Sequence, residues 1–289
     1  MPKALVVIFG VLISISVSAS PLYWKAKKGD LEYLIFGTVH VGDDTMFPLP
    51  KTVLDYLDSS DGLIVEVDIN EAKQLRYPQS NISSYSVLNR EQREELKGIS
   101  ELLKMDVNTL LQAPPWATAL TVQLSQFSYL GYTAEQGIDI HLLATAAKNH
   151  IPLFTLETMQ FQINLLASLE QEGKELLVSV VDDFDKAEPL THCLVDSWKK
   201  GDKDKLEQFG ELTALSPEFE ATFITNRNLD WVQKLNEASF LPQGQGRYLI
   251  AVGTLHLVGK NNLPILLEKS GFAVEQISSS QKSECQFEY

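Results

Sequence analysis

Two stretches of this chain repeat one arrangement, Gly37-Thr-Val-His40 and Gly253-Thr-Leu-His256. Each follows an apolar run, Tyr33-Leu-Ile-Phe36 in the first and Tyr248-Leu-Ile-Ala-Val252 in the second. Glycine permits a close or unusual backbone path where a strand turns. A histidine just beyond a strand end projects from the edge of an α/β sheet, where such folds put their ligand crevices. Only five histidines occur in the chain, so a matched pair is informative. Imidazoles converging from two half-sites suit a metal, whose commonest protein ligand is neutral imidazole. They equally suit a general acid and base pair.

Acidic and basic residues accompany them. Glu66 interrupts the apolar run Gly62-Leu-Ile-Val-Glu-Val67, and a buried carboxylate is costly unless paired, coordinated or neutralised. That makes it a candidate metal ligand or general base. Strand alternation puts it on one face with Ile64 and Asp68, and Asp68 is the expected exposed partner. Glu157 follows the apolar Leu153-Phe-Thr-Leu156 and should reach the same sheet edge. Asp139 opens a helix after Gly137, where a carboxylate is also favoured by the helix dipole alone. Arg227, in Thr225-Asn-Arg-Asn-Leu-Asp230, could grip a carboxylate or carbonyl oxygen. His141, His150 and His192 read as surface or packing residues.

The elements that must position these groups alternate. Strands are expected at 31–36, 62–67, 152–156, 247–252 and 272–277. Apolar residues at three- and four-residue spacing predict helices over 50–57, 91–105, 116–129, 138–149, 161–181, 189–200, 217–235 and 263–269, with Pro114-Pro115 separating two of them. The stretch 70–89 reads as loop or lid. Strand 31–36, helix and strand 62–67 resemble a βαβ unit with a parallel pair. The expected fold is therefore α/β, with a mixed central sheet from two similar strand-helix-strand halves and the central helices inserted between them.

The chain has 289 residues, 44% of them hydrophobic, and a formal charge of −14. No Lys/Arg cluster exists for phosphate backbones, which argues against nucleic acid. Lys3, the apolar 4–17 stretch and Val17-Ser-Ala19 read as an export signal over residues 1–19, leaving a mature domain at 20–289 in the periplasm of a Gram-negative bacterium. No later segment is apolar enough to span a membrane. Cys193 and Cys285 are an even pair, which an oxidising compartment would bridge. There is no Gly-x-Ser-x-Gly, His-Glu-x-x-His, P-loop or Gly-x-Gly-x-x-Gly motif.

Taken in order, Gly37-Thr-Val-His40, Leu63-Ile-Val-Glu-Val67, Gly137-Ile-Asp-Ile-His-Leu-Leu143, Leu156-Glu-Thr158 and Gly253-Thr-Leu-His256 resemble the TraB/GumN (Tiki-like) family across nearly the whole mature chain. The segment bearing Arg227-Asn228 is similar to that family's Arg-Asn segment. The resemblance implies a single α/β domain related to the Tiki metalloproteases and, further off, to erythromycin-esterase-like and ChaN-like proteins. It also implies that His40, Glu66 and His256 are essential, with manganese or cobalt supporting peptide-bond cleavage. On that reading the three side chains hold a divalent metal, and the mixed donors do not select among Mn, Co and Zn. Arg227 would stabilise the oxyanion, and Glu66 or Glu157 would take the proton from water. The substrate would be a peptide or small molecule. Two other readings stand beside it: a non-catalytic periplasmic binder of a peptide, metal or haem-like ligand, and a metal-free esterase-like hydrolase with one histidine as base. All of them require His40 and His256 to converge beside Glu66.

Overall fold

The computed structural model describes residues 19–287; the export signal expected at the start, up to residue 18, lies outside the described residues. Six strands form one mixed sheet: β1 (Tyr23–Lys28), β2 (Leu31–Thr38), β3 (Gly62–Val65), β4 (Leu153–Thr155), β5 (Gly246–Gly253) and β6 (Ala273–Gln276). Their order is β4-β3-β5-β2-β1-β6. The strands β2, β5, β3 and the edge strand β4 run parallel, while β1 is antiparallel to both β2 and β6. Strands covered on both faces read as near-continuous apolar runs. Leu249, Ile250, Ala251 and Val252 of β5 are accordingly all fully buried, each large side chain stabilising the sheet by about 1.5–3 kcal/mol.

The expected βαβ unit is corrected in one respect. β2, α1 (Lys51–Asp58) and β3 follow each other in the chain, but β5 lies between β2 and β3. The strands bearing the two repeated motifs are therefore direct neighbours, with Tyr33 opposite Tyr248 and Leu34 opposite Leu249. The second copy carries one extra residue before its glycine. Gly37 thus pairs with Val252, and Thr38 with Gly253. Gly37 is required by this neighbour, because a Cβ there would lie 2.8 Å from Thr254 Oγ1.

A helical layer made of α2 (Ser84–Val87), α3 (Arg90–Leu102), α4 (Val107–Gln112) and α5 (Pro115–Tyr129) follows β3. The stretch expected to be loop thus contains α2 and a 3-10 segment, Ile69–Gln74. Pro115 stands at the first position of α5, where its missing N–H costs nothing. After α6 (Ile138–Lys148) and β4, the expected helix 161–181 is two: α7 (Met159–Ala167) and α8 (Lys174–Asp182). The chain breaks between them where Gln171, Glu172 and Gly173 take positive φ. α8 packs with the helical layer around a core of its own that includes Leu96, Val122, Leu177 and Phe184. Helices α9 (Ala187–Lys200), α10 (Lys203–Thr213), α11 (Pro217–Glu220), α12 (Asn226–Asn236) and α13 (Leu263–Lys269) complete the chain. β1 and α10 are elements that the apolar pattern did not single out. The expected helix 217–235 is interrupted by a π turn at Ala221–Thr225, just before Arg227.

Cys193 and Cys285 form a disulfide across 92 positions. The tail it holds is further fixed by Ser283 N–H donating to Asp202 at 2.7 Å and by Lys282 on Asp202 and Asp204. Closing so long a loop removes entropy from the unfolded chain. Cys285→Ser should cost about 3–5 kcal/mol, read as a lower urea midpoint, and reductant should lower the wild-type midpoint alike. Equal midpoints with and without reductant would show that the noncovalent tail contacts suffice. Among the described residues no helix is long and apolar enough to cross a membrane.

Candidate functional site

The ladder between β3 and β4 continues past both strands, since Leu156 N–H donates to Val65 at 2.9 Å and Glu157 N–H to Glu66 at 2.8 Å. This sets the two glutamates side by side. Glu66 sits just past the end of β3 rather than within it. Its expected partner Asp68 is not there; Asp68 caps the following 3-10 turn through Asn70. Arg227, delivered by α12, bridges the carboxylates instead.

The guanidinium is fully engaged. Nε donates to Glu157 Oε1 at 2.9 Å, and Nη2 to Glu66 Oε2 at 2.6 Å and Glu157 Oε2 at 2.8 Å. Nη1 donates to the Phe223 carbonyl at 3.0 Å and faces His256 Nε2 at 3.2 Å. A guanidinium has five N–H donors, so none is left for an oxyanion, the role its type suggested. The carbonyl of Phe223 lies in the π turn, a feature often found at functional sites. Glu157 is likewise saturated, also accepting from Trp231 Nε1 at 2.8 Å and Gln162 Nε2 at 3.1 Å. Both residues hold the site together rather than face a reactant.

The two motif histidines occupy opposite environments. His256 is buried, 4% exposed, on a 3-10 turn after β5. Its Nδ1 lies 2.7 Å from Asn228 Oδ1, an acceptor, so Nδ1 carries the proton and Nε2 accepts from Arg227. Burial pushes its pKa down to about 3, with Arg227 and His40 adding to the push against Glu66. His40 is 69% exposed, and its Nδ1 lies 2.9 Å from Asp139 Oδ2. Thr38 Oγ1 donates to the other Asp139 oxygen at 2.6 Å. Asp139's charge, with its hydrogen bond to Nδ1, lifts His40 to about 9. Asp139 is therefore more than a helix-end charge; the sequence marked it by its position in the first turn after Gly137 and by its place in the Gly137–Leu143 segment of the family resemblance. For Glu66, burial raises the pKa, but His256, Arg227, His40 and the Gly253 N–H at 2.7 Å outweigh it and hold the carboxyl at about 2.

The groups meet above Gly253. A Cβ on that residue would lie 3.3 Å from Glu66 Oε1, 3.6 Å from the His256 ring and 3.9 Å from His40 Nε2. His40, Glu66 and His256 thus converge as expected, around a space that exists because residue 253 has no side chain. As ligands of a divalent metal, however, they do not fit in this arrangement. Both His256 nitrogens and both Glu66 oxygens already have partners, and a permanent cation stands between them. Only His40 Nε2 faces the space without one. Among the described residues no group of three His, Cys, Asp or Glu side chains is placed to hold a metal ion. His141 stacks near Phe47, and His192 bonds Tyr132, as packing residues.

Asn228, Trp231, Gln162 and Gly253 were not singled out for these roles beforehand. Asn228 was legible only as part of an Arg-Asn pair and Gly253 only as the glycine of its motif, and Trp231 and Gln162 carry no signal without coordinates.

The chain is 31% identical to the uncharacterized protein YbaP of Escherichia coli (strain K12), over 83% of this chain and 89% of that protein. YbaP of Shigella flexneri is 31% identical over 81% of this chain and 86% of its own. An uncharacterized protein of Treponema pallidum (strain Nichols) is 22% identical over 71% of this chain and 66% of its own. No solved structure matches the chain. The sequence model of one family matches residues 22–276, which takes in both histidine motifs, the two glutamates and the arginine. The chain belongs to the TraB/PrgY/gumN family.

Proposed function

We propose that this protein is a hydrolase of acyl bonds, the amide of a peptide or an ester, acting in the space above Gly253. The observation that carries the reading is that His40 Nε2, Glu66 Oε1 and the His256 ring all lie within 4 Å of where a Cβ on Gly253 would stand, so they border one space beside that glycine. Glu66 is ionised at neutral pH, and one lone pair of Oε1 remains for a water beyond the Gly253 N–H. That water attacks the carbonyl carbon and passes its proton to Glu66. His40, protonated and oriented by Asp139, gives its Nε2 proton to the departing nitrogen or oxygen. The C–O bond forms, the C–N or C–O bond breaks, and an acid and an amine or alcohol leave. His256 stays neutral and, through Asn228 and Arg227, fixes the wall of the space. The disulfide suits an oxidising compartment, which supports an exported, periplasmic enzyme.

The test is turnover of peptide and ester libraries by the disulfide-intact protein, with chelator, with added Mn, Co or Zn, and across pH. Activity that withstands chelator and falls as pH rises through about 9, where His40 loses its proton, supports the reading. His40→Ala should lower turnover by about 10²–10⁴-fold. Stoichiometric metal with chelator-sensitive turnover would replace it with a metallohydrolase, in which Arg227 must first withdraw from His256. Ligand binding without turnover would replace it with a binding protein.

A further inference from the structure

A second pocket lies away from the space above Gly253, and its chemistry is different. It encloses ≈ 440 Å³ against the start of α5, under the extended segment that follows the 3-10 turn 69–74. Trp116, 4% exposed, lines it from the protein side, and Tyr77, 67% exposed, from the segment. The two rings are nearly parallel, 14° apart in plane and 6.5 Å between centroids. Around them stand the side chains of Ser80, Asn81, Ser83 and Gln112. No lining residue is charged, in a chain of which 21% is charged.

The pocket is held in shape by the backbone. The Arg76 N–H donates to Gln160 Oε1, and Gln160 Nε2 donates to the Arg76 carbonyl, both at 2.8 Å, tying the segment to α7. Ser80 Oγ accepts from the Ile82 N–H and donates to its carbonyl, and Ser83 caps α2. A site assembled beforehand does not have to be ordered by its ligand.

We infer that this pocket binds a neutral saccharide. A sugar ring has an apolar C–H face that lies on a flat aromatic side chain, and hydroxyls at its rim that pair with amides and hydroxyls. Tyr77 supplies the first kind of surface, with Trp116 as the buried floor behind its ring, and the exposed amides of Asn81 and Gln112 supply the second. An anionic saccharide would find no cation in the lining and a molecule of formal charge −14. This site stands independently of the hydrolase reading.

Titration of the disulfide-intact protein with cellobiose, maltose and N,N′-diacetylchitobiose, followed by tryptophan emission, tests it. A saturable change with at least one of them is expected, with Trp116→Phe removing most of the signal. Tyr77→Ala, an exposed site whose loss should leave the melting temperature unchanged, should weaken binding about tenfold, the worth of one aromatic contact. A proline-rich peptide and glucuronate should give no change. The inference is overturned if none of the three sugars gives a saturable signal, if Tyr77→Ala binds as wild type, or if the peptide or glucuronate binds in their place.

Discussion

Gly253→Ala should abolish turnover while leaving the fold intact. The backbone at Gly253 has φ −49° and ψ 134°, a conformation any residue adopts, so an alanine brings no backbone strain. The added methyl would sit 3.6 Å from His256 and 3.9 Å from His40, ordinary contact distances, and 3.3 Å from Glu66 Oε1, which must yield by a few tenths of an ångström. It would nevertheless project between the three groups and push water and carbonyl carbon out of reach of Glu66 and His40. Misplacement of reacting atoms by 1 Å costs about 10²-fold, and complete exclusion costs more. The expected result is therefore a loss of at least about 10³-fold in kcat/KM with a melting temperature within a few degrees of wild type. Gly37→Ala is the contrasting control: its Cβ would meet Thr254, on the buried 3-10 turn after β5, at 2.8 Å, so it should lower stability first. If Gly253→Ala turns over like wild type, the reactive space is elsewhere.

The second large effect belongs to Arg227→Met. Its side chain is 10% exposed, against 8% for Glu66 and 3% for Glu157. Removing it strands two neighbouring buried carboxylates, a change that costs about 3–5 kcal/mol. The pH dependence should change with it. In the wild type Glu66 is held at about 2, below its ordinary 4.5. Its contribution is present above about 4.5 and is lost as pH falls toward 2. His256, lowered from 6.5 to about 3, acts in the same direction: its contribution is present above 6.5 and fades as pH falls toward 3. Wild type should therefore lose stability steadily on acidification from pH 6.5. In Arg227→Met, burial is left to raise Glu66, so ionising it opposes folding and the deficit against wild type should be larger at pH 7 than at pH 5. Urea midpoints at the two pH values measure this. A deficit below about 1 kcal/mol at pH 7 would mean that the carboxylates are not held by the arginine.

Much of this was legible in the chain because it is recorded in short-range pattern. The apolar runs ending in Gly-Thr-x-His, one carboxylate interrupting an apolar run and another following one, and the even cysteine pair are local facts, and the strands, the α/β class and the family resemblance follow from them. The helix expected over 161–181 failed where three consecutive residues, Gln171 to Gly173, turn to positive φ. Apolar periodicity carries no record of such a break, because the spacing of Leu165, Leu166, Leu169, Leu176 and Leu177 continues across it. β1 escaped because half of Tyr23-Trp-Lys-Ala-Lys-Lys28 is lysine, leaving only Tyr23, Trp24 and Ala26 buried and no apolar run to read.

The roles of the residues were a different matter. His40 and His256 read as equivalent, yet one is exposed and raised to about 9 while the other is buried and lowered to about 3. That asymmetry comes from the extra residue before Gly253, from Asp139 arriving on α6, and from Arg227 arriving on α12. Arg227 and Glu157 have the residue types of catalytic groups, but three-dimensional packing engages every donor and acceptor they own. Residue type and spacing can select which groups are chemically capable. Proton affinity and availability depend on distances to charges and on exclusion of water, and those are set by chain segments far apart in sequence.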